Sequence, residues 1–186
     1  MFMRAILTIR RRFAVEICFY LLLSLLSTSC KVELPKKMEE SAIFPTERFA
    51  VFEGKRPDGK PIVGNLNLSY RDYARKPDYP WCLTISIALD QSNLFENGLP
   101  KGEESSIANK LEDDLFSAIK QTSVAHYVGH VYGDEFLDIY IYLDEPKKVN
   151  EYLQTQINKQ GLIRPFRYEI VEDKDWKSVD PYLNPK

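Results

Sequence analysis

Strict alternation of residue types marks two stretches of this chain as β-strands. In residues 136–143 the odd-numbered positions are Leu, Ile, Ile and Leu, and the even-numbered positions are Phe, Asp, Tyr and Tyr. In residues 81–90 the odd-numbered positions are large and apolar, and the even-numbered positions are small or polar. A period of two predicts strands with one face in a core. We expect the odd-numbered residues of both strands to face that core.

Further elements follow from turn residues and helical spacing. Two short strands between residues 48 and 70 flank Pro57, Asp58 and Gly59, which predicts a hairpin. Apolar residues at three- and four-residue spacing predict a helix over 103–120. A strand over 123–132 and a turn at Gly133 and Asp134 precede strand 136–143. A second helix, with residues 144 and 145 near its start and Pro146 in its first turn, ends near Gly161. Residues 166–171 form the last strand.

Without the first hairpin, the order is strand, helix, strand, strand, helix, strand. This order predicts an α+β, ferredoxin-like split βαβ fold (β-α-β-β-α-β). It would be an antiparallel sheet with two helices on one face and with strands 81–90 and 136–143 at its centre. The N-terminal β-hairpin would extend this sheet or cover it. We favour packing of the hairpin across the small residues of strand 81–90, with a ligand there as the alternative. The tail, with Trp176 and Tyr182, should pack on the domain.

The first 29 residues have the pattern of an export signal. Arg10, Arg11 and Arg12 precede an apolar run that ends at Leu26 and is followed by small residues and Cys30. The run is shorter than the roughly 20 residues that span a bilayer as a helix. The segment resembles a bacterial lipoprotein signal peptide (1–29), which implies cleavage before Cys30 and lipidation of its thiol. An uncleaved anchor and an ordinary secretion signal are the alternatives. Residues 30–45 would be a tether and residues 46–186 a single domain.

Charge and cysteine content narrow the possible partners and site chemistry. The whole chain has a formal net charge of −2, and the part after residue 29 is more acidic, at about −5. A mildly acidic domain has no electrostatic reason to bind nucleic acid. Beyond Cys30 the exported chain has only Cys82, so no disulfide framework is expected. We expect no cofactor and no catalytic residues, because no P-loop, hydrolase or zinc motif is present.

The even-numbered residues of strand 136–143 form the candidate binding face, which comprises Asp138, Tyr140 and Tyr142. If Gly133 and Asp134 form a two-residue turn, Tyr127 joins this face, whereas a three-residue turn would place His126 and His130 there instead. The histidines are about 13 Å apart along a strand, which is too far to share a metal ion. We interpret them as strand residues with satisfied ring nitrogens and expect no metal site. The acidic run at 112–114 is expected to be a solvated helix face.

Several motifs together resemble the domain-of-unknown-function family 695. They are Asp58-Gly-Lys-Pro61, Tyr79-Pro-Trp81, the segment from Asn97 to Leu115, and a terminal Asp175-Trp176 followed by Tyr182-Leu183 and Pro185. They span about residues 46–185. The resemblance implies a small α+β domain without an assigned activity. More distantly, such domains resemble the family of the regulator of ribonuclease E activity B, which acts by binding a protein.

Three functional hypotheses follow. The first is a cell-envelope lipoprotein, lipid-anchored on the periplasmic side or the outer surface, whose sheet face or acidic helix face binds an unknown protein partner without catalysis. The second is a small-ligand binder or hydrolase with a pocket between the sheet and the N-terminal hairpin, using Asp138, Tyr140 and a histidine. The third is a structural envelope protein. A deep cavity with converging polar groups would favour the second hypothesis.

Overall fold

The structure is a computed structural model that describes residues 43–157 and 159–185. The predicted signal peptide, Cys30 and tether residues 30–42 lie outside the described residues. The strands are β1 (Phe49–Lys55), β2 (Pro61–Asn67), β3 (Trp81–Ala88), β4 (Ala125–Gly133), β5 (Phe136–Leu143) and β6 (Phe166–Glu172). The α-helices are α1 (Gly102–Ile119), α2 (Lys147–Ile157) and α3 (Asp180–Leu183). Among the described residues, no helix is both long and apolar enough to cross a membrane.

The strands form one antiparallel sheet in the order β1-β2-β4-β5-β3-β6. The α+β class and the antiparallel sheet confirm the coarse prediction from the sequence. The N-terminal hairpin does not cross the small residues of β3, because β2 pairs edge to edge with β4. The preferred placement of the hairpin was therefore wrong, and the hairpin lengthens the sheet by two strands. This addition leaves β1 at one edge and β6 at the other.

One face of the sheet, here called the helix face, packs against α1 and α2. The predicted odd-numbered residues of β3 and β5 all lie here, and Leu83, Ile85, Leu137 and Ile141 are fully buried. From α1 and α2 they meet Ala108, Leu111, Leu115, Ile119, Val149 and Leu153. The period of two in the strands and the spacing of three and four in the helices thus form one core.

The opposite face, here called the tail face, is covered by two segments that lie outside the sheet. One is residues 68–79, between β2 and β3, and the other is the C-terminal segment, residues 173–183. Trp176 is 1% exposed, which confirms that the tail packs on the domain. The end of the predicted tether also reaches this region, since the Tyr73 hydroxyl donates a hydrogen bond to the Ile43 carbonyl. Segments distant in sequence therefore shield the tail face where a hairpin had been expected.

The turn between β4 and β5 lies one residue later than predicted. Gly133 pairs with Phe136, so the two turn residues are Asp134 and Glu135. Both have positive φ, at 52° and 70°, as a type I′ hairpin turn requires. Lys60 and Arg56 in the β1–β2 turn form ion pairs with Asp134, at 2.8 and 3.0 Å. The two hairpin turns are thereby linked.

Candidate functional site

Tyr140 and Tyr142, two of the predicted binding residues, lie beneath the C-terminal segment. The Tyr142 ring stacks on Trp176 with centroids 3.9 Å apart, and its hydroxyl donates to Asp173 Oδ2 at 2.6 Å. The hydroxyl of Tyr140 lies 3.3 Å from that of Tyr182. Burial raises the pKa of both phenols well above the ordinary value. Contact between these tyrosines and a partner would require the C-terminal segment to leave the sheet.

Asp138, the third predicted residue, is half-buried near the end of the same face. Its carboxylate accepts a hydrogen bond from the Ser86 hydroxyl at 2.6 Å on the neighbouring strand. Burial raises the pKa of Asp138, and the Ser86 hydrogen bond acts in the opposite direction. Asp138 therefore has a local partner and does not converge with a histidine.

A β-bulge in β4 separates the remaining candidate residues. The pairing with β5 shifts by one residue between Tyr127 and Gly129. Gly129 has φ of +142°, and a Cβ there would lie 2.2 Å from the Asn65 carbonyl oxygen, so glycine is required. As a result Tyr127 lies opposite Ile141 and faces the helices, so its predicted place beside Tyr140 and Tyr142 is wrong.

The bulge also places the two histidines on different faces. His130 pairs with Ile139 on the helix face, and His126 pairs with Tyr142 on the tail face. His126 is fully buried among aromatic rings, with the Tyr79 and Phe44 centroids 3.9 and 4.6 Å away. Its Nδ1 lies 3.2 Å from the Tyr70 hydroxyl, but its Nε2 has no hydrogen-bond partner among the described residues. The expectation that both ring nitrogens are satisfied was wrong for His126.

Burial also keeps His126 neutral. It lowers the pKa of the imidazole from 6.5 to about 4, because the charged form loses hydration. The nearby positive charge of Arg75 lowers the pKa further, and Asp144 has the opposite effect. His126 is therefore a neutral member of an aromatic cluster, closed to solvent.

The helix face contains an open cleft of about 320 Å³ where α1 meets the hairpin and β4. Its aromatic walls are Phe49, Phe116 and Tyr127, and its polar lining is Asn65, Asn109, Glu112, Asp113 and His130. Four of these residues come from α1 at positions 109, 112, 113 and 116, a spacing that places them on one side of a helix. The hairpin contributes the opposite wall through β1 and β2. This cleft is the candidate functional site.

A buried carboxylate organises the base of the cleft. Glu112 is 4% exposed, so the expectation that it belongs to a solvated face was wrong for this residue, although Asp113 and Asp114 are exposed. Its Oε1 accepts from the Tyr127 hydroxyl at 2.5 Å, and its Oε2 lies 2.8 Å from His130 Nδ1. Burial and the adjacent carboxylate raise the pKa of Tyr127 far above its ordinary value. The phenol therefore stays protonated and donates to Glu112.

This network fixes the orientation of the His130 ring. A carboxylate accepts hydrogen bonds, so the proton of a neutral imidazole lies on Nδ1 and the lone pair on Nε2. A second bond, from the Tyr132 hydroxyl to Asn109 Oδ1 at 2.6 Å, orients the Asn109 amide in the same way. The cleft therefore presents the Nε2 lone pair of a neutral His130 and the amide N–H donors of Asn109, both oriented by hydrogen bonds. Among the described residues, no cluster of three or more His, Cys, Asp or Glu side chains could hold a metal ion.

The fold and the cleft together define a small α+β domain whose sheet carries a polar and aromatic depression beside a helix. The model of the family of unknown function DUF695 matches residues 53–183, which is more than half of the chain. The chain belongs to this family, as its motifs indicated. All the cleft residues except Phe49 lie within the match. A search of curated proteins and a search of solved structures each gave no significant match.

Proposed function

We propose that this protein is a non-enzymatic binding protein of the bacterial cell envelope, lipid-anchored at Cys30, whose cleft receives part of a protein partner. The observation that carries the proposal is the cleft itself, where aromatic walls surround the buried pair of Glu112 and His130. A concave site with apolar walls and a few fixed polar groups is typical of recognition sites. The tyrosine face, by contrast, is occupied by the chain's own C-terminal segment.

The lining of the cleft supports binding better than covalent catalysis. None of its described residues is Ser, Thr or Cys, so it offers no activated hydroxyl or thiol. His130 is oriented by a carboxylate in the manner of a general base, yet only water could serve it as a nucleophile. The side chains that line the cleft are therefore suited to holding a ligand in one orientation.

The proposed cellular location of the protein is inferred from its N-terminal sequence. Arg10 to Arg12, the short apolar run and Cys30 have the order of a lipoprotein signal. Stable anchoring would need more than one acyl chain, because a single chain binds membranes only marginally. The finer fold assignment is also a proposal: strands β3 to β6 with α1 and α2 form a ferredoxin-like core, and the hairpin adds two strands beside β4.

The proposal is tested by photocrosslinking in intact cells. A photoreactive amino acid replaces Phe49, which lines the cleft and is 41% exposed. The matched control is Val171 on the opposite sheet edge, with a similar exposure of 38%. We expect one discrete protein adduct from position 49 and none from position 171. Equal adducts at both positions, or none at position 49, would refute the assignment of the cleft as a binding site.

The anchor is tested separately. Cys30→Ala should move the protein from the membrane fraction to the soluble fraction and abolish labelling by a fatty-acid analogue. Wild-type fractionation of this variant would show that the lipoprotein assignment is wrong.

The pairing of Glu112 with His130 favours a second candidate function, that of a hydrolase that uses water as its nucleophile. Nε2 of His130 would accept the proton of a water molecule that attacks an ester carbonyl in the cleft, and would return it to the alkoxide that leaves as the acyl C–O bond breaks. The full-length protein in detergent should then hydrolyse simple esters, and His130→Gln should lose that activity. Equal rates for the wild type and the variant would exclude this candidate.

A further inference from the structure

We infer that the cleft receives a positively charged side chain of the partner, and that arginine is its best fit; this inference rests on the proposed function. The first reason is charge. Two carboxylates, Glu112 and Asp113, line the cleft, and none of its described lining residues is Lys or Arg. A concave site lined by charges of one sign concentrates ligands of the opposite sign.

The second reason is the supply of hydrogen-bond acceptors. Tyr127 donates to Glu112, and the carboxylate holds the proton of His130 on Nδ1. The exposed carboxylate of Asp113 is an acceptor, and so is the Nε2 lone pair of His130 when the imidazole is neutral. A guanidinium group has five N–H donors and no acceptor, so it complements such a lining. The amides of Asn65 and Asn109 add donors, but the charged groups of the lining are carboxylates, so a cationic donor is favoured over a neutral ligand.

The third reason is the arrangement of the aromatic walls. The Tyr127 ring lies between the other two, with centroids 5.1 Å from Phe116 and 6.1 Å from Phe49. Cations bind over aromatic faces within about 6 Å of the ring centre, and the planar guanidinium also stacks on them. The ammonium of Lys120 already lies 4.8 Å from the Phe116 centroid, so the arginine would rely on Tyr127 and Phe49. The rings would contact the aliphatic stem and plane of an arginine.

The size of the cleft points to one side chain. Its volume of about 320 Å³ is at the lower limit of pockets that enclose whole small molecules. The cleft is open to solvent, and Val51, two residues from Phe49 on β1, is 71% exposed. A partner could lie along this surface and insert a single residue, with the acidic rim of Asp113 beside its charge.

The test compares three peptides that differ only at the central residue of Gly-Gly-Xaa-Gly-Gly, where Xaa is arginine, lysine or citrulline. Binding to the full-length protein in detergent micelles is measured by NMR titration of the backbone amide signals. We expect the arginine peptide to bind at least about tenfold more tightly than the citrulline peptide, its neutral isostere. The largest shifts should come from residues that line the cleft.

Two neighbouring carboxylates provide a matched pair of variants. Asp113→Asn removes a charge that lines the cleft and should weaken binding of the arginine peptide about fivefold. Asp114→Asn makes the same change one residue later, at an exposed residue that pairs with Lys110 outside the cleft, and should leave binding unchanged. Both residues are exposed, so both variants should fold.

The outcomes separate the inference from the proposed function. Equal binding of the arginine and citrulline peptides, or equal effects of the two Asn variants, would overturn the inference. If the crosslink at position 49 then persists, the cleft still binds a partner and only the ligand class is wrong. If the crosslink and all peptide binding are absent, the proposed function fails as well.

Discussion

Trp176 should contribute more to the stability of this domain than any other side chain of the C-terminal segment. Its ring is 1% exposed, it stacks on Tyr142, and its Nε1–H donates to the carbonyls of Lys76 and Tyr79 at 3.1 and 3.0 Å. A buried tryptophan removes roughly 200 Å² from water, which at about 25 cal/mol per Å² amounts to about 5 kcal/mol. We therefore expect Trp176→Ala to lower the free energy of unfolding by about 4 kcal/mol.

Two further variants show how much of the stability lost in Trp176→Ala comes from the hydrogen bonds of the indole and how much from the backbone conformation. Trp176→Phe keeps a stacking ring but leaves the two carbonyls without their donor, so it should cost about 1–2 kcal/mol. Trp176 also has φ of +58°, a left-handed conformation that costs a side-chain-bearing residue about 1–2 kcal/mol. Trp176→Gly removes the ring and this strain together. It should be at least as stable as Trp176→Ala, against the usual preference for alanine.

The assay is urea unfolding of the full-length protein in detergent, followed by far-ultraviolet circular dichroism. A loss below about 2 kcal/mol for Trp176→Ala would mean that the C-terminal segment is not part of the cooperative fold. A glycine variant clearly less stable than the alanine variant would refute the argument from backbone strain.

Three other perturbations test the fold by the same urea assay. Gly129→Ala forces a Cβ into the backbone of β2 and should cost at least about 3 kcal/mol, whereas Gly102→Ala, where a Cβ meets open space, should be neutral. Neutral His126 stabilises the fold fully above its unfolded pKa of 6.5, and this stabilisation, about 3 kcal/mol in total, is lost as pH falls through the folded pKa of about 4. The free energy of unfolding of His126→Phe should therefore fall less steeply between pH 7 and pH 4.5 than that of the wild type. Equal slopes would contradict this. Arg164→Met leaves the buried carboxylate of Glu104 without the guanidinium that donates two hydrogen bonds to it, and should cost about 3 kcal/mol of stability. Adding Glu104→Leu should recover part of that loss. If Arg164→Met is as stable as the wild type, the ion pair does not contribute to stability.

Local sequence patterns predicted the helix face of the sheet well. Residues such as Ile85, Leu137 and Ile141 alternate because one side of each strand is buried by helices that are close in sequence. The predicted helix 103–120 differs by one residue at each end from the observed α1. Patterns of this kind come from contacts that every residue of an element shares, so a single sequence contains them.

The cover of the tail face could not be predicted in the same way. Alternation in β5 showed that Tyr140 and Tyr142 lie on one side, but it carried no information about which distant segment meets them. The aromatic residues Trp176 and Tyr182 indicated that the tail packs on the domain, but the partner of Trp176 could be identified only from the structure. Contacts between an irregular segment and a sheet leave no period in either sequence.

The cleft was missed for a related reason. The acidic run at 112–114 was interpreted as solvated because three adjacent helical residues point in different directions. That argument holds for Asp113 and Asp114, but Glu112 points between the helix and the sheet. The spacing of Asn109, Glu112 and Phe116 was the available signal, since a polar and aromatic stripe beside an apolar one marks the edge of a buried face.

The β-bulge in β4 brings Tyr127 and His130 to the same face of the sheet, where the cleft lies. In a regular strand Tyr127 and His130, three residues apart, would lie on opposite faces of the sheet, and only one of them could reach Glu112. The extra residue before Gly129 returns Tyr127 to the helix face while His130 remains there, so both hydrogen-bond to the same carboxylate. The same extra residue sends His126 to the opposite face, although it lies four residues from His130. A lone glycine within an apolar strand was the sequence sign of this bulge, because glycine inside a strand often marks a bulge or a close approach of backbone. The geometry of the cleft therefore depends on Gly129, a residue that contributes no side chain to it.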